Sequence, residues 1–333
     1  MNYKSVVATR RGGPEVLQIV ENDLRAPAPG EARVKVLATS VGRTDVDYRY
    51  GRIAFAPKAP FVPGYEVLGR VDAVGAGVTQ PAVGDRVAAL TGHGGYAEYI
   101  YLRPEHLAPV PPGLDPAEAV TLILNYVTAH QMLHRTAKAK AGQRALVIGA
   151  SGGVGTALLQ LGKLAGLTLY GLASAAKHAA VKELGATPID YRSPDFSAEL
   201  RRLEPNGVDF VFNGFGSAYT RPSLKLIRRG GKLVEFVPTS GGLQLVVGLA
   251  QLALLNLWPN GKAVEFYGIS ALYQVDKRPF MTDLPILFRL LADGKIKPCI
   301  AARLPLLEAA KGNALLESGA VTGQVILLAP ELL

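Results

Sequence analysis

Leu146-Val-Ile-Gly-Ala-Ser-Gly-Gly-Val-Gly155 decides the fold. An apolar run from Arg144 to Ile148 ends in a glycine cluster, and from Val154 to Leu164 apolar residues return at helical spacing. That succession predicts strand, tight turn and helix, the geometry in which backbone N–H groups at a helix N-terminus receive a pyrophosphate. Ala150, Gly152 and Gly155 stand at the three glycine positions of the dinucleotide fingerprint, with Ser151, Gly153 and Val154 between them. The missing side chain at Gly152 lets phosphates approach the backbone, and at Gly155 it lets helix and strand pack closely.

The end of the second strand indicates which dinucleotide. NAD-binding versions carry an Asp or Glu there, about 20 residues on, to accept from the ribose 2′-hydroxyl. Here the strand from Leu167 to Ala173 runs into Ser174-Ala-Ala-Lys177-His178, and the first acid is Glu183, inside the following helix. A hydroxyl and an ammonium suit a 2′-phosphate, which an Asp would repel, so Ser174 and Lys177 point to NADPH over NADH. Tyr191 and Arg192, just past a third strand from Thr187 to Asp190, are placed to cover the same phosphate.

At 333 residues the chain is expected to form two domains. Hydrophobic residues at 49% and charged residues at 19% suit a folded protein with a large core, which excludes a disordered one. One cysteine, Cys299, rules out an internal disulfide or a thiolate metal cluster and fits a reducing cytoplasm. The opening Met1-Asn-Tyr-Lys-Ser-Val-Val-Ala8 reads as a strand and lacks the features of a signal peptide. A net charge of +9 invites a nucleic-acid reading, but Arg10-Arg11, Arg201-Arg202 and Arg228-Arg229 lie in separate segments. No basic run is interleaved with aromatics, so nucleic acid is not an expected partner; the charge serves solubility and attraction for a polyanionic cofactor.

Residues 1 to about 122 hold short apolar runs (Ser5–Ala8, Ala32–Ala38, Val67–Ala73, Asp85–Leu90, Tyr96–Tyr101) between Gly/Pro punctuation, which predicts a β-barrel-like domain. Strands at 144–149, 167–173, 187–190, 208–213, 231–237 and 263–269 alternate with helices, the doubly wound pattern. A helix from Pro285 to Asp293 and a strand from Gly323 to Leu328 are expected to return to the first domain. The expected boundaries are 1–122 with 275–333, and 123–274. Leu243 to Trp258 is almost wholly apolar but too short to span a bilayer, so it is expected to be a core helix or a subunit contact, next a lid over an apolar substrate pocket, and last a membrane attachment.

The chain resembles the medium-chain dehydrogenase/reductases, and within them the zinc-free quinone oxidoreductase branch. The resemblance rests on Gly13-Pro-Glu-Val-Leu17, Gly42-Arg-Thr-Asp45, Pro63-Gly-Tyr-Glu-Val-Leu-Gly69, Val83-Gly-Asp-Arg-Val87, Gly94-Gly-Tyr-Ala-Glu98, Gly149–Gly155 and Leu184-Gly-Ala186, in that order. The segment Leu124-Asn-Tyr-Val-Thr-Ala-His130 resembles bacterial and synaptic-vesicle-type quinone oxidoreductase homologues. The resemblance implies an α/β protein: a GroES-like catalytic domain plus a Rossmann doubly wound parallel sheet. It also implies a homodimer, paired edge to edge near Val264–Ile269.

Zinc members of the superfamily need three protein ligands and an open position. Gly42, Tyr65 and Leu124 stand where those ligands would be, so no metal is expected. Without a Lewis acid, hydrogen-bond donors must stabilise the developing negative charge, which favours a quinone or an α,β-unsaturated carbonyl over a simple ketone. By family position Thr128 contacts the nicotinamide, Asn213 and Phe236 join the cofactor residues, and Gly42 and Asn125 line the substrate cleft. Tyr65 and Tyr126 are candidate donors to the substrate oxygen, with Asp47 a candidate acid. The expected function is a zinc-independent NADPH-dependent reductase of quinones or enones. The alternatives are an enoyl-thioester or carbonyl reductase of a secondary-metabolite pathway, and a catalytically silent NADPH-binding regulatory protein.

Overall fold

Short strands with one buried face build the first part of the chain: β1 (Asn2–Ala8), β2 (Leu17–Asp23), β3 (Ala32–Val41), β4 (Glu66–Val74), β5 (Arg86–Leu90), β6 (Tyr99–Leu102) and β7 (Ala108–Pro109). The computed structural model describes all residues except 54–55, 193–194, 237–246, 248–249, 251–252 and 258–260. β1 and β2 form an antiparallel hairpin, while β3, β4, β5 and β7 lie in that order in an antiparallel sheet with β6 also paired to β3. In β3, Ala32, Val34 and Val36 are buried while Arg33 and Lys35 between them form ion pairs with Asp72 and Glu331. That is the period-two pattern of a strand with one covered face.

The next strands are parallel: β8 (Arg144–Ile148), β9 (Thr168–Ala173), β10 (Thr187–Asp190), β11 (Val208–Asn213), β12 (Ile227–Glu235) and β13 (Ala263–Phe266). Their spatial order is β10-β9-β8-β11-β12-β13, which is the Rossmann order 3-2-1-4-5-6. Leu146, Ile148, Leu172, Ile189, Val211 and Leu233 form its core. Two late strands, β14 (Ile300–Pro305) and β15 (Gln324–Leu328), join the first sheet, with β15 antiparallel to β3 and Val325 opposite Val41. The chain divides into two compact units, Met1–Val127 with Lys277–Leu333, and Thr128–Asp276.

Within the first unit, a buried arginine ties helix α1 (Arg43–Tyr50) to distant chain. Arg49 donates to the Gly12 carbonyl and to Glu317, and Tyr50 OH donates to the other Glu317 oxygen at 3.0 Å. Glu317 ends the helix Ala309–Glu317.

Three segments differ from the expectations. β12 begins at Ile227 rather than 231, because the Arg-Arg-Gly-Gly stretch lies at a register shift inside the strand. β13 stops at Phe266 instead of 269; Gly268 caps a helix that starts at Ile269. The expected helix at Pro285 begins earlier, at Arg278, and carries Pro285 inside it. Burial of Phe280, Leu284, Leu287, Phe288 and Leu291 outweighs the one backbone hydrogen bond the proline removes.

Most of the apolar segment 243–258 lies outside the described residues. Of its described part, Asn256 takes the free edge of β13: its Oδ1 accepts from Val264 N–H at 2.8 Å and its Nδ2 donates to Val264 O at 2.7 Å. Among the described residues, no helix is long and apolar enough to cross a membrane.

Candidate functional site

The second unit presents an open helix N-terminus. β8 ends at Ile148, and Gly149 turns the chain at φ +84°, a conformation that glycine alone adopts without strain. The Gly149 and Ala150 N–H groups both donate to Leu172 O, at 3.3 and 3.2 Å, which fastens the loop to β9. Helix α2 (Gly153–Leu164) starts after Gly152, and no side chain caps it. Its first-turn N–H groups therefore face outward with the positive end of the helix dipole. A side chain on Gly155 would overlap Gly149 O and sit 2.8 Å from the Ala150 carbonyl carbon, whereas one on Gly152 would meet nothing nearer than Gly149 O at 3.5 Å. Gly155 is thus the close-packing glycine and Gly152 the open one. Ala150 is buried, and Ser151, Gly153 and Val154 are partly accessible.

At the end of β9, Ser174 is extended and its carbonyl accepts from Lys177 N–H at 2.8 Å. Lys177 is half-buried; burial pushes its ammonium pKa down, while the Tyr191 phenol nearby pulls it up. Tyr191 N–H donates to Ala173 O at 3.3 Å, so the segment after β10 returns to the tip of β9. The Arg192 guanidinium lies 5.6 Å from the Tyr191 ring centre. The fold thus gathers Ser174, Lys177 and Tyr191 at one strand end, and the nearby Asp190 carboxylate accepts the Arg192 N–H at 2.9 Å.

Asn213 is occupied otherwise. Its Oδ1 accepts Phe215 N–H at 3.0 Å, and its Nδ2 donates to Gly216 O at 2.9 Å and to Glu235 Oε1 at 3.4 Å. With its amide closed on this turn and its side chain fully buried, Asn213 shapes the loop that carries Phe215. Phe236 is half-buried, with its ring over Gly214. Phe215, which sequence reasoning missed, is 64% exposed and leans against Gly149. The Thr128 hydroxyl is buried and, among the described residues, has no hydrogen-bond partner. An orphaned buried hydroxyl costs on the order of 1–3 kcal/mol unless something pairs with it.

In the first unit, one carboxylate organises the segments around Gly42 and Tyr65. Asp45 Oδ2 accepts Gly42 N–H at 2.9 Å across the start of α1, and its Oδ1 accepts Gly64 N–H at 2.8 Å. Tyr96 also donates to it; burial nonetheless pushes its pKa up to about 6. Gly64 sits at φ +103°, and a side chain there would come within 2.6 Å of Gly95 and Tyr96 backbone atoms. Tyr65 follows, buried, its carbonyl accepting Thr91 N–H at 2.9 Å and Gly92 N–H at 3.0 Å. Its ring lies 6.0 Å from that of Tyr48 on α1, tilted 38°. Tyr126 and Asn125 lie buried in a π-helical turn, Leu122–Tyr126, that packs on β4 and β5. Such turns recur at functional sites.

Asp47, the candidate acid, sits between two guanidiniums. Its Oδ2 is 3.2 Å from Arg43 Nε and its Oδ1 3.6 Å from Arg52 Nη1, so two guanidiniums make it an ion-pair anchor of α1. A metal does not fit the zinc-ligand positions either: Gly42 and Leu124 offer no donor side chain, and Tyr65 offers only a phenol.

Beside Tyr65, Glu66 is fully buried; Ser40 donates to its Oε1, and its Oε2 has no partner among the described residues. Burial, with the Asp45 charge adding to it, raises its pKa from 4.5 to about 8. The unfolded chain releases this proton near 4.5 and the folded chain only near 8. Between those values the native state holds a proton the unfolded state lacks, so stability falls as pH rises and levels off above 8. Glu66→Gln is expected to remove that fall, on the order of a few kcal/mol, raising the melting temperature near pH 9 by about 5 °C or more relative to wild type. Parallel melting curves for the two proteins from pH 5 to 9 would refute the assignment.

Comparisons with known proteins agree with both halves. Residues 28–112 match the alcohol dehydrogenase GroES-like domain and residues 184–327 the zinc-binding dehydrogenase family. The chain is 35% identical over 237 residues to the synaptic vesicle membrane protein VAT-1 homolog of Danio rerio, covering 70% of this chain and 49% of that protein. It thus spans about half the length of that relative. It is 31% identical over 325 residues to a quinone oxidoreductase of Rattus norvegicus, covering 95% of each. A mycobacterial protein crystallised with NADPH superposes with a TM-score of 0.84 at 29% identity, covering 98% of this chain and 99% of the other.

Proposed function

The chain belongs to the medium-chain dehydrogenase/reductase superfamily, in its quinone-oxidoreductase-like branch, and from that membership we propose a zinc-independent, NADPH-dependent reductase of quinones or α,β-unsaturated carbonyls. The observation that carries the cofactor choice is the tip of β9, where Ser174, Lys177 and Tyr191 replace the acid of an NAD site. When bound, NADPH supplies a hydride to the acceptor. The uncapped N–H groups of α2 hold its pyrophosphate, Lys177 its 2′-phosphate, and the orphaned Thr128 hydroxyl its carboxamide.

Acceptor chemistry follows from the donors in the first unit. Tyr65 and Tyr126 hydroxyls polarise the acceptor oxygen, and the buried Asn125 amide beside Tyr126 orients it. A quinone or enone spreads the incoming charge over conjugated atoms, so phenols suffice where a simple ketone would call for a metal.

The assay is NADPH oxidation with phenanthrenequinone, a simple enone and a short enoyl thioester. Turnover with the quinone or enone, insensitive to chelators and without stoichiometric zinc, is the expected result. Turnover with the thioester alone would replace the substrate class, and tight NADPH binding with no turnover on any acceptor would overturn the enzyme reading. The chain is expected to work in the cytoplasm on a small-molecule substrate. A homodimer through β13 competes with the Asn256 clamp on Val264, and sedimentation of the purified protein decides between them.

A further inference from the structure

Hydride addition to a quinone or enone leaves an electron pair on the acceptor oxygen, which takes a proton to complete the reaction. Asp47 is engaged with Arg43 and Arg52, and the donor of the proposed function is the Tyr65 hydroxyl. We propose that Tyr48 is the positioning residue of proton delivery: it orients the Tyr65 hydroxyl and returns a proton to it after each turnover. This rests on the reading of Tyr65 as donor to the acceptor.

The two rings are brought together by construction. Asp45, one turn before Tyr48 on α1, binds the N–H of Gly64, the residue before Tyr65, so helix and loop are pinned by one carboxylate. The Tyr48 carbonyl is held by the Arg11 guanidinium and by Gly51 N–H at 3.0 Å, and its ring packs on the first unit's core. The rings then lie 6.0 Å apart and the hydroxyls share a hydrogen bond, Tyr65 donating and Tyr48 accepting at rest. When the Tyr65 O–H turns to the acceptor, the Tyr48 O–H becomes the donor to Tyr65. Tyr65 is buried, whereas Tyr48 is only partly so, which gives the pair one enclosed member and one in touch with solvent. Burial and the Asp45 charge push the Tyr48 pKa up, so it stays protonated at neutral pH.

The proton balance is simple. The Tyr65 O–H bond breaks, its proton joins the acceptor oxygen, and the phenolate left behind takes the Tyr48 proton. Tyr48 recovers a proton from water. Nothing is oxidised or reduced in this relay, and phenol, enol and hydroquinone hydroxyls are close enough in acidity for it to run without a large barrier.

Tyr48→Phe keeps the ring and removes the hydroxyl, and Tyr65→Phe does the same for the donor. Each is measured for NADPH affinity, melting temperature, kcat, KM and the solvent deuterium isotope effect on kcat. For Tyr48→Phe the expected result is unchanged NADPH affinity, melting temperature and KM, with kcat lowered about 10- to 100-fold and a larger isotope effect. Wild-type kcat and isotope effect in Tyr48→Phe, with Tyr65→Phe impaired, would overturn this inference alone. Wild-type behaviour in both variants would also overturn the reading of Tyr65. A lowered melting temperature or lost NADPH binding in Tyr48→Phe would make Tyr48 a structural residue and overturn the proposal.

Discussion

Replacing Lys177 with alanine is expected to raise the NADPH dissociation constant about 10- to 100-fold while leaving NADH within about twofold. The two cofactors differ only by the 2′-phosphate, so whatever Lys177 contributes elsewhere cancels in the ratio. A charge-assisted hydrogen bond to phosphate is worth about 1.5–3 kcal/mol, which sets the range. The half-buried ammonium beside Tyr191 strengthens this against screening, since burial limits access of salt. Binding followed by fluorescence titration at fixed ionic strength checks it. Equal losses for both cofactors would remove Lys177 from the phosphate site.

The second large effect separates two glycines that look alike in sequence. Gly155→Ala is expected to lower the melting temperature by about 5–10 °C and to abolish dinucleotide binding, because its methyl group would overlap Gly149 O and press on Ala150. Relief requires moving α2 away from β8, which pulls the N–H groups off the phosphate. Gly152→Ala has an ordinary backbone, φ −82°, and space to 3.5 Å. It is expected to melt within about 2 °C of wild type yet bind NADPH about tenfold more weakly, since its methyl group occupies the approach of the pyrophosphate. Thermal melts and titrations on both variants give the comparison. A Gly155→Ala protein that melts and binds as wild type would refute the packing argument.

These contrasts show what the sequence could and could not reveal. Glycine spacing and apolar periodicity are local properties, so the strand-turn-helix at Gly149–Gly155 and the alternation of strands and helices were readable in one dimension, while the strand order was not. The expected strand began at 231 rather than 227 because a register shift depends on the partner strand β11. Pro285 read as a helix start because the burial that carries a helix through proline is invisible locally. Burial of a carboxylate leaves no local mark, so Glu66 and Asp45 were passed over although they sit inside quoted motifs. Asp47 and Asn213 were chosen by position, and only their partners revealed one as an ion-pair anchor and the other as a turn clamp. Tyr48 had one legible clue: it lies three residues after Asp45, on the same helix face.

The pairing of Arg49 with Glu317, and of Val41 with Val325, also sets an order of events during synthesis. Residues 128–276 are contiguous and can close their parallel sheet as soon as they leave the ribosome. The segment translated first cannot do the same. Its buried guanidinium and the open flank of β3 must wait for Glu317 and Val325, which follow residues 128–276 in the chain, so the first unit is completed after the second has closed.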